Sequence, residues 1–158
     1  MKKLIFFLII VLLLAGCQKA PAKRGGPNKL EGQTRYLYLK LSAKVDKSSF
    51  SPGEDIEVKV SLTNTGQKDF KFTFPNGKSF DLAAENQQGK EVFRDSNGKY
   101  YIQAERPVTL KPNQKISEQF NFSLDKKGSY KIKGETAKLY FNERKSTTLV
   151  TSPIDILL

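Results

Sequence analysis

From Arg35 to the C-terminus the apolar positions recur at every second residue, the period of a strand with one buried face. Leu37, Leu39, Leu41, Ala43 and Val45 share one side of a first predicted strand, and Tyr38, Lys40, Ser42 and Lys44 share the other. SPGED breaks the run, after which Ile56, Val58, Val60 and Leu62 alternate with Glu57, Lys59, Ser61 and Thr63. Asn64-Thr65-Gly66 is turn chemistry, followed by a stripe of Phe70, Phe72 and Phe74. PNGK leads into Phe80, Leu82 and Ala84, and NQQG into Val92 and Phe93. The later stripes are Ile116, Phe120, Phe122 and Leu124, then Tyr130 with Ile132, Leu139 with Phe141, and Ile154 with Ile156. About eight or nine short strands with turn signals between them, and no amphipathic helical window, predict an all-β fold, an immunoglobulin-like antiparallel β-sandwich over residues 35–158.

Two local motifs refine that picture. Asn97-Gly98 in SNGK is the strongest hairpin signal in the chain, since this pair adopts the positive φ angles of a type I′ turn. The expected hairpin sets Phe93 opposite Ile102 on one face and Arg94 opposite Tyr101 on the other. Asp125, Gly128 and Tyr130 have the DxxGxY spacing of a tyrosine corner, in which the phenol hydrogen-bonds nearby backbone at a strand crossover. A plain hairpin turn with a half-buried tyrosine is the alternative.

The N-terminus follows other rules. Lys2 and Lys3, the apolar run Leu4 to Leu14, and then Ala15-Gly16 form the three-part order of a secretory signal. The run falls short of the roughly 20 apolar residues of a permanent membrane helix. Cys17, the only cysteine, follows directly. This arrangement resembles the lipobox of bacterial lipoproteins, which implies cleavage after residue 16 and a diacylglyceryl group on Cys17. Each buried CH₂ of an acyl chain contributes about 0.8 kcal/mol, and paired chains on one residue suffice for stable anchoring. Residues 17–34, rich in Pro, Gly, Lys and Gln, read as a basic tether. The expected location is the extracytoplasmic face of the cell membrane.

The formal charge of +11 falls to +9 when Lys2 and Lys3 leave with the signal. The bases are scattered singly, with no aromatic stacking motif, which argues for anionic lipid or wall polymer, or for solubility, over nucleic acid. With no histidine in the chain, imidazole-based catalysis and the usual zinc sites are excluded. DSNG fails as a calcium loop because Lys99 and Arg106 occupy its fifth and twelfth positions. No enzyme motif is present, no cofactor beyond the covalent lipid is expected, and with its one thiol lipidated the domain lacks an internal disulfide.

The order VSLTNTGQKDFKFTFPNGKSFDLAAENQQGKEVFRDSNGKYYIQA, then LKPNQ, then GSYKIKG resembles the BsuPI-type intracellular proteinase inhibitor family, from about Ile56 to Thr136. The residues that carry the resemblance are Asn64, Phe74-Pro75-Asn76-Gly77, Phe80-Asp81, Gly89-Lys90-Glu91-Val92, Leu110 and Gly128-Ser129-Tyr130. It implies an immunoglobulin-like domain and a proteinase-inhibitor role. The chain departs from the family at Val92-Phe93-Arg94-Asp95, where a tryptophan-rich segment is usual, and at Pro112-Asn113-Gln114, where Pro-Gly-Glu is usual. An exported lipoprotein meets secreted or surface-bound proteases, so the implied partner is an exported serine protease. The other class that stays open is a non-inhibitory binding or scaffolding module for an envelope partner or polymer. Arg94, Asp95, Tyr100 and Tyr101 at the expected hairpin are the candidate partner contacts, with Arg94 covering Tyr101 in a cation-π pair as the purely structural alternative. The Pro75-Asn76-Gly77-Lys78 turn is the second candidate.

Overall fold

The computed structural model describes residues 30–142 and 145–158. The signal segment, Cys17 and most of the tether lie outside the described residues. Among the described residues twelve strands follow in order: β1 (Glu31–Tyr36), β2 (Leu39–Val45), β3 (Ile56–Asn64), β4 (Phe70–Phe74), β5 (Phe80–Asn86), β6 (Glu91–Arg94), β7 (Arg106–Leu110), β8 (Lys115–Phe122), β9 (Ser129–Thr136), β10 (Leu139–Asn142), β11 (Lys145–Thr147) and β12 (Ile154–Leu157). They form an immunoglobulin-like antiparallel sandwich. One sheet has the order β1-β2-β3-β8, and the opposing strands are divided between β12-β9-β5-β6 and β11-β10-β4-β7.

The alternation places the core. In β2 and β3 the residues Leu39, Leu41, Ala43, Ile56, Val58, Val60 and Leu62 are fully buried, while Glu57 and Lys59 between them face solvent. Across the sandwich they meet Phe72, Phe74, Leu82, Ile132, Leu139 and Ile154 in one continuous cluster. The layers approach closely at Gly134 of β9, where a Cβ would stand 3.0 Å from side-chain atoms of both Ala43 and Val60, so that any larger residue there forces those side chains to give way. Between the sheets Phe93 of β6 stacks on Phe122 of β8 at 4.4 Å, and Tyr36 of β1 on Phe141 of β10 at 5.4 Å. Such pairs add about 0.5 to 1.5 kcal/mol beyond their buried area.

Two expectations need correction. The predicted first strand is a hairpin: β1 and β2 pair from Glu31↔Lys44 to Tyr36↔Leu39 around a Leu37-Tyr38 turn. Leu37 takes φ 51 and points outward instead of joining the core stripe. The tether also ends sooner than residue 34, because Glu31–Thr34 already belong to β1. Gly32 shows why those polar residues are ordered: a Cβ there would lie 2.0 Å from the Ser152 carbonyl oxygen, so only glycine lets the strand close on that backbone. β6 is a short edge strand paired with β5 alone, and its Val92 is exposed.

Candidate functional site

β5 opens with Phe80-Asp81-Leu82, and its period sets Asp81 on the face opposite Phe80 and Leu82. That face ought to be wet, yet Asp81 is only 2% exposed because the chain leaving β6 folds over it. The register puts Asp81 directly opposite Glu135 of β9, a like-charge pair that destabilises a sheet unless a cation intervenes. Arg94, opposite Ala83 one row away, supplies it. Its Nη1 donates to Asp81 Oδ2 at 3.1 Å and to Glu135 Oε2 at 3.0 Å, and its Nη2 to Glu91 Oε2 at 2.7 Å. Lys78 Nζ and Ser96 Oγ each donate to Asp81 Oδ2 at 2.6 Å, and the amides of Leu82 and Ser96 donate to Oδ1 at 2.9 and 3.1 Å. Burial alone pushes the Asp81 carboxyl up, but the bonds from Lys78, Ser96 and Arg94 outweigh it and hold the carboxyl below its ordinary value. Hydrogen bonds from Arg94 to Glu91 and then Glu135 lock its guanidinium in the charged form.

This cluster anchors a surface segment. The Asp95 amide donates to Leu82 O at 2.9 Å, and two successive turns follow, Asn97 N to Arg94 O at 3.1 Å and Lys99 N to Ser96 O at 3.2 Å. Lys99 Nζ binds Asp95 Oδ1 at 2.6 Å, which raises the lysine's pKa. The chain then leaves all ladders until β7. Tyr100 is fully exposed and Ile102 is 79% exposed, whereas Tyr101 between them is half-buried with Lys78 Nζ 5.8 Å from its ring centre. Burial, then the Asp95 carboxylate, raises the Tyr101 phenol's pKa. The Gly77 amide of the PNGK turn donates to Ile102 O at 2.9 Å, and Gln103 Nε2 to Tyr101 O at 3.0 Å. The result is an out-in-out segment, Tyr100-Tyr101-Ile102, with an exposed apolar tip and a pinned backbone.

The expected hairpin is therefore absent. Gly98 has φ 74, but Asn97 is not among the non-glycine residues with positive φ, so the turn is not type I′. Phe93 faces Phe122, and Ile102 lies in solvent. Arg94 turns to three carboxylates and not to Tyr101, because charge-assisted bonds outweigh a cation-π contact. Arg94 and Asp95 thus form the base of the segment, while Tyr100 forms its tip. Sequence reasoning missed Asp81, Ser96, Ile102 and Glu135 as parts of this site, and offered Lys78 only within the separate second candidate turn. The available signal was an acid set among the apolar residues of β5.

Elsewhere, the Tyr130 hydroxyl donates to the Lys126 carbonyl at 2.6 Å, and Gly128 and Leu158 exchange backbone bonds at 3.0 and 3.1 Å. Among the described residues no group of three or more acidic or sulfur ligands is placed to hold a metal.

The model of the BsuPI family, described as intracellular proteinase inhibitor, matches residues 43–139, more than half of the chain. A prokaryotic membrane lipoprotein lipid attachment site matches residues 1–18. No curated protein matches. Among solved structures, the C-terminal domain of wzt is similar at a TM-score of 0.52 and 12% identity, over 85% of this chain and 81% of that one. The CARDB domain of a Pyrococcus furiosus protein is similar at 0.40 and 15% identity, over 73% and 82%.

Proposed function

The chain belongs to the BsuPI family of intracellular proteinase inhibitors and is a membrane-anchored lipoprotein, and on that premise we propose that it binds and inhibits an exported or surface serine protease from the extracytoplasmic face. The observation that carries the reading is the segment Lys99–Gln103. An inhibitory loop has to be exposed to enter an extended substrate groove and stiff to avoid an ordering cost on binding. Tyr100 and Ile102 project into solvent while Gly77, Lys78 and the Asp81 cluster hold the backbone beneath them. Aromatic side chains are frequent interface anchors, and the exposed phenol favours proteases with an apolar primary pocket. Arg94 and Asp95 position the segment, and Tyr101 packs it down.

The experiment is to assay the mature lipoprotein against a panel of serine proteases and then repeat it with Tyr100→Ala and Ile102→Ala. For a true anchor, each substitution weakens inhibition by about thirtyfold or more with an unchanged thermal melt. Undiminished inhibition removes this segment and moves attention to the Pro75–Lys78 turn. A soluble form for such work has to begin at or before Leu30, whose carbonyl accepts from the Val45 amide at 3.0 Å; a start at Arg35 deletes most of β1.

The second reading, a non-inhibitory binding module for an envelope partner, is favoured by an open groove of about 540 Å³ along β4, β7 and β10, lined by Phe72, Val108, Tyr140 and Phe141. Binding of an envelope component without inhibition of any protease in the panel supports it.

A further inference from the structure

The outer face of the sheet β1-β2-β3-β8 carries an unusual charge pattern. Its registers set Lys44 directly opposite Lys59, and Arg35 directly opposite Lys40. Like charges in such positions destabilise a sheet. Lys115 of β8 lies in the Lys40 row, separated from it by Thr63. One acid relieves the group: Glu31 reaches Lys44 at 3.3 Å and Lys40 at 3.7 Å. Among the described residues Arg35, Lys59 and Lys115 have no ion-pair partner. Between the two basic rows runs a low row of hydroxyls, Ser42, Ser61 and Ser117. Glu57, one row beyond Lys59, is the next acid along β3.

A second, independent feature borders this face. The β1-β2 turn puts two large apolar side chains into water, Leu37 at 66% and Tyr38 at 62% exposure, immediately beyond the Arg35/Lys40 row. The turn is not loose. The Tyr38 carbonyl accepts from both the amide and the hydroxyl of Thr65, at 2.7 and 2.9 Å, and the Tyr38 side chain lies against Gly66. A rigid tip with an aliphatic and an amphipathic aromatic residue, beside cations lacking counter-charges, has the chemistry of the membrane interface.

We propose that the Leu37-Tyr38 turn and the basic face of this sheet dock on the anionic phospholipid surface to which the protein is anchored. Charge complementarity selects anionic headgroups, whose phosphates replace the counter-charges the fold withholds. Chain length permits it. The stretch from Cys17 to Glu31 reaches at most roughly 50 Å, more than the about 20 Å that β1 extends. Of the functional reading, this inference uses only the lipoprotein anchor, so its fate is separate from that of the inhibitor reading.

The chain contains no tryptophan, so Tyr38→Trp introduces a single reporter that keeps an aromatic ring at the tip. The mature lipidated variant is reconstituted in bilayer discs of phosphatidylcholine alone, or with phosphatidylglycerol, each with and without brominated acyl chains. The expected result is a blue-shifted emission quenched by the brominated chains in the anionic discs at low salt, and released at high salt. Adding Arg35→Gln, Lys59→Gln and Lys115→Gln lowers the docked-to-free ratio on the order of a hundredfold, about fivefold per base. The same three changes leave the melting temperature equal or higher, since they remove repulsion. Emission that ignores lipid charge overturns the proposal, as does quenching of a Tyr100→Trp reporter in place of Tyr38→Trp.

Discussion

Asn64 at the end of β3 and Asp81 in β5 are both withdrawn from solvent, and each gathers loop backbone that no strand ladder holds. Asn64 does so with a neutral amide. Its Nδ2 donates to the carbonyls of Lys68 and Leu110 at 2.8 and 2.9 Å, and its Oδ1 accepts from the Gly66 amide at 2.9 Å. Its own backbone bonds Gln114 and Asn113 at 3.0 and 2.9 Å. Every partner is main chain, so the result is a fixed meeting of two turns that responds to neither pH nor salt. Asp81 recruits side chains, two of them cationic, and the segment it secures ends in an exposed tyrosine and isoleucine. The difference separates a residue that closes the fold from one that presents a surface. Neutral backbone bonding costs little to bury once it is complete. A buried carboxylate is tolerated only with near-ideal partners, and those partners tie the loop to the sheet.

Asp81→Ala tests the contrast most severely. It leaves Lys78 and Ser96 without their acceptor and Arg94 short of one carboxylate, so the expected loss is about 3 kcal/mol, read from denaturant midpoints. If the chain inhibits a protease as proposed, Asp81→Ala should reduce inhibition more steeply than stability. The same side chain predicts an acid limb. Because its folded pKa lies below the unfolded value of about 3.9, its contribution is complete above that value and fades as pH falls through the folded one. Asp81→Asn should flatten this limb relative to the parent protein. An unaltered limb would assign acid sensitivity to other carboxylates.

Asn64→Ala is expected to cost about 2 kcal/mol by leaving buried carbonyls and an amide unpaired. It should leave the acid limb as it was and, on the inhibitor reading, leave inhibition unchanged. A parallel loss of inhibition would break the division of labour drawn above. Tyr130→Phe removes one bond, from the hydroxyl to Lys126 O, and keeps the ring in place; the expected cost is about 1 kcal/mol. An unchanged midpoint would leave the phenol without a stabilising role. The smallest effect is at Glu118 of β8. Burial, and then the charge of Asp95, raises its pKa, so its ionised form is disfavoured in the folded state. Glu118→Gln should therefore raise the unfolding free energy at neutral pH by a few tenths of a kcal/mol, and the gain should vanish at acid pH where Glu118 is protonated.

Much of this molecule was legible in the residues themselves. Alternation over Ile56–Leu62, Phe80–Ala84 and Tyr130–Ile132 picked out side chains that are buried, because the pleat assigns faces from nearest neighbours alone and needs no knowledge of the partner strand. The family and the lipoprotein signal were readable for a related reason, as each is a fixed order of local residue types. Register and long-range pairing were not. Whether Leu37 continues a strand or turns it depends on β1 finding β2 and on Gly32 closing against Ser152. Whether Arg94 covers Tyr101 or bridges carboxylates depends on Glu135, 41 residues away in the chain and brought alongside Asp81 by the β5-β9 ladder. The sequence by itself determined which residues are apolar, at what period, and what kind of anchor precedes them. Only the tertiary structure decided which charges meet, and so which loop is held rigid with its tip in water, since Coulomb and hydrogen-bond partners are set by distance in space and not by position along the chain.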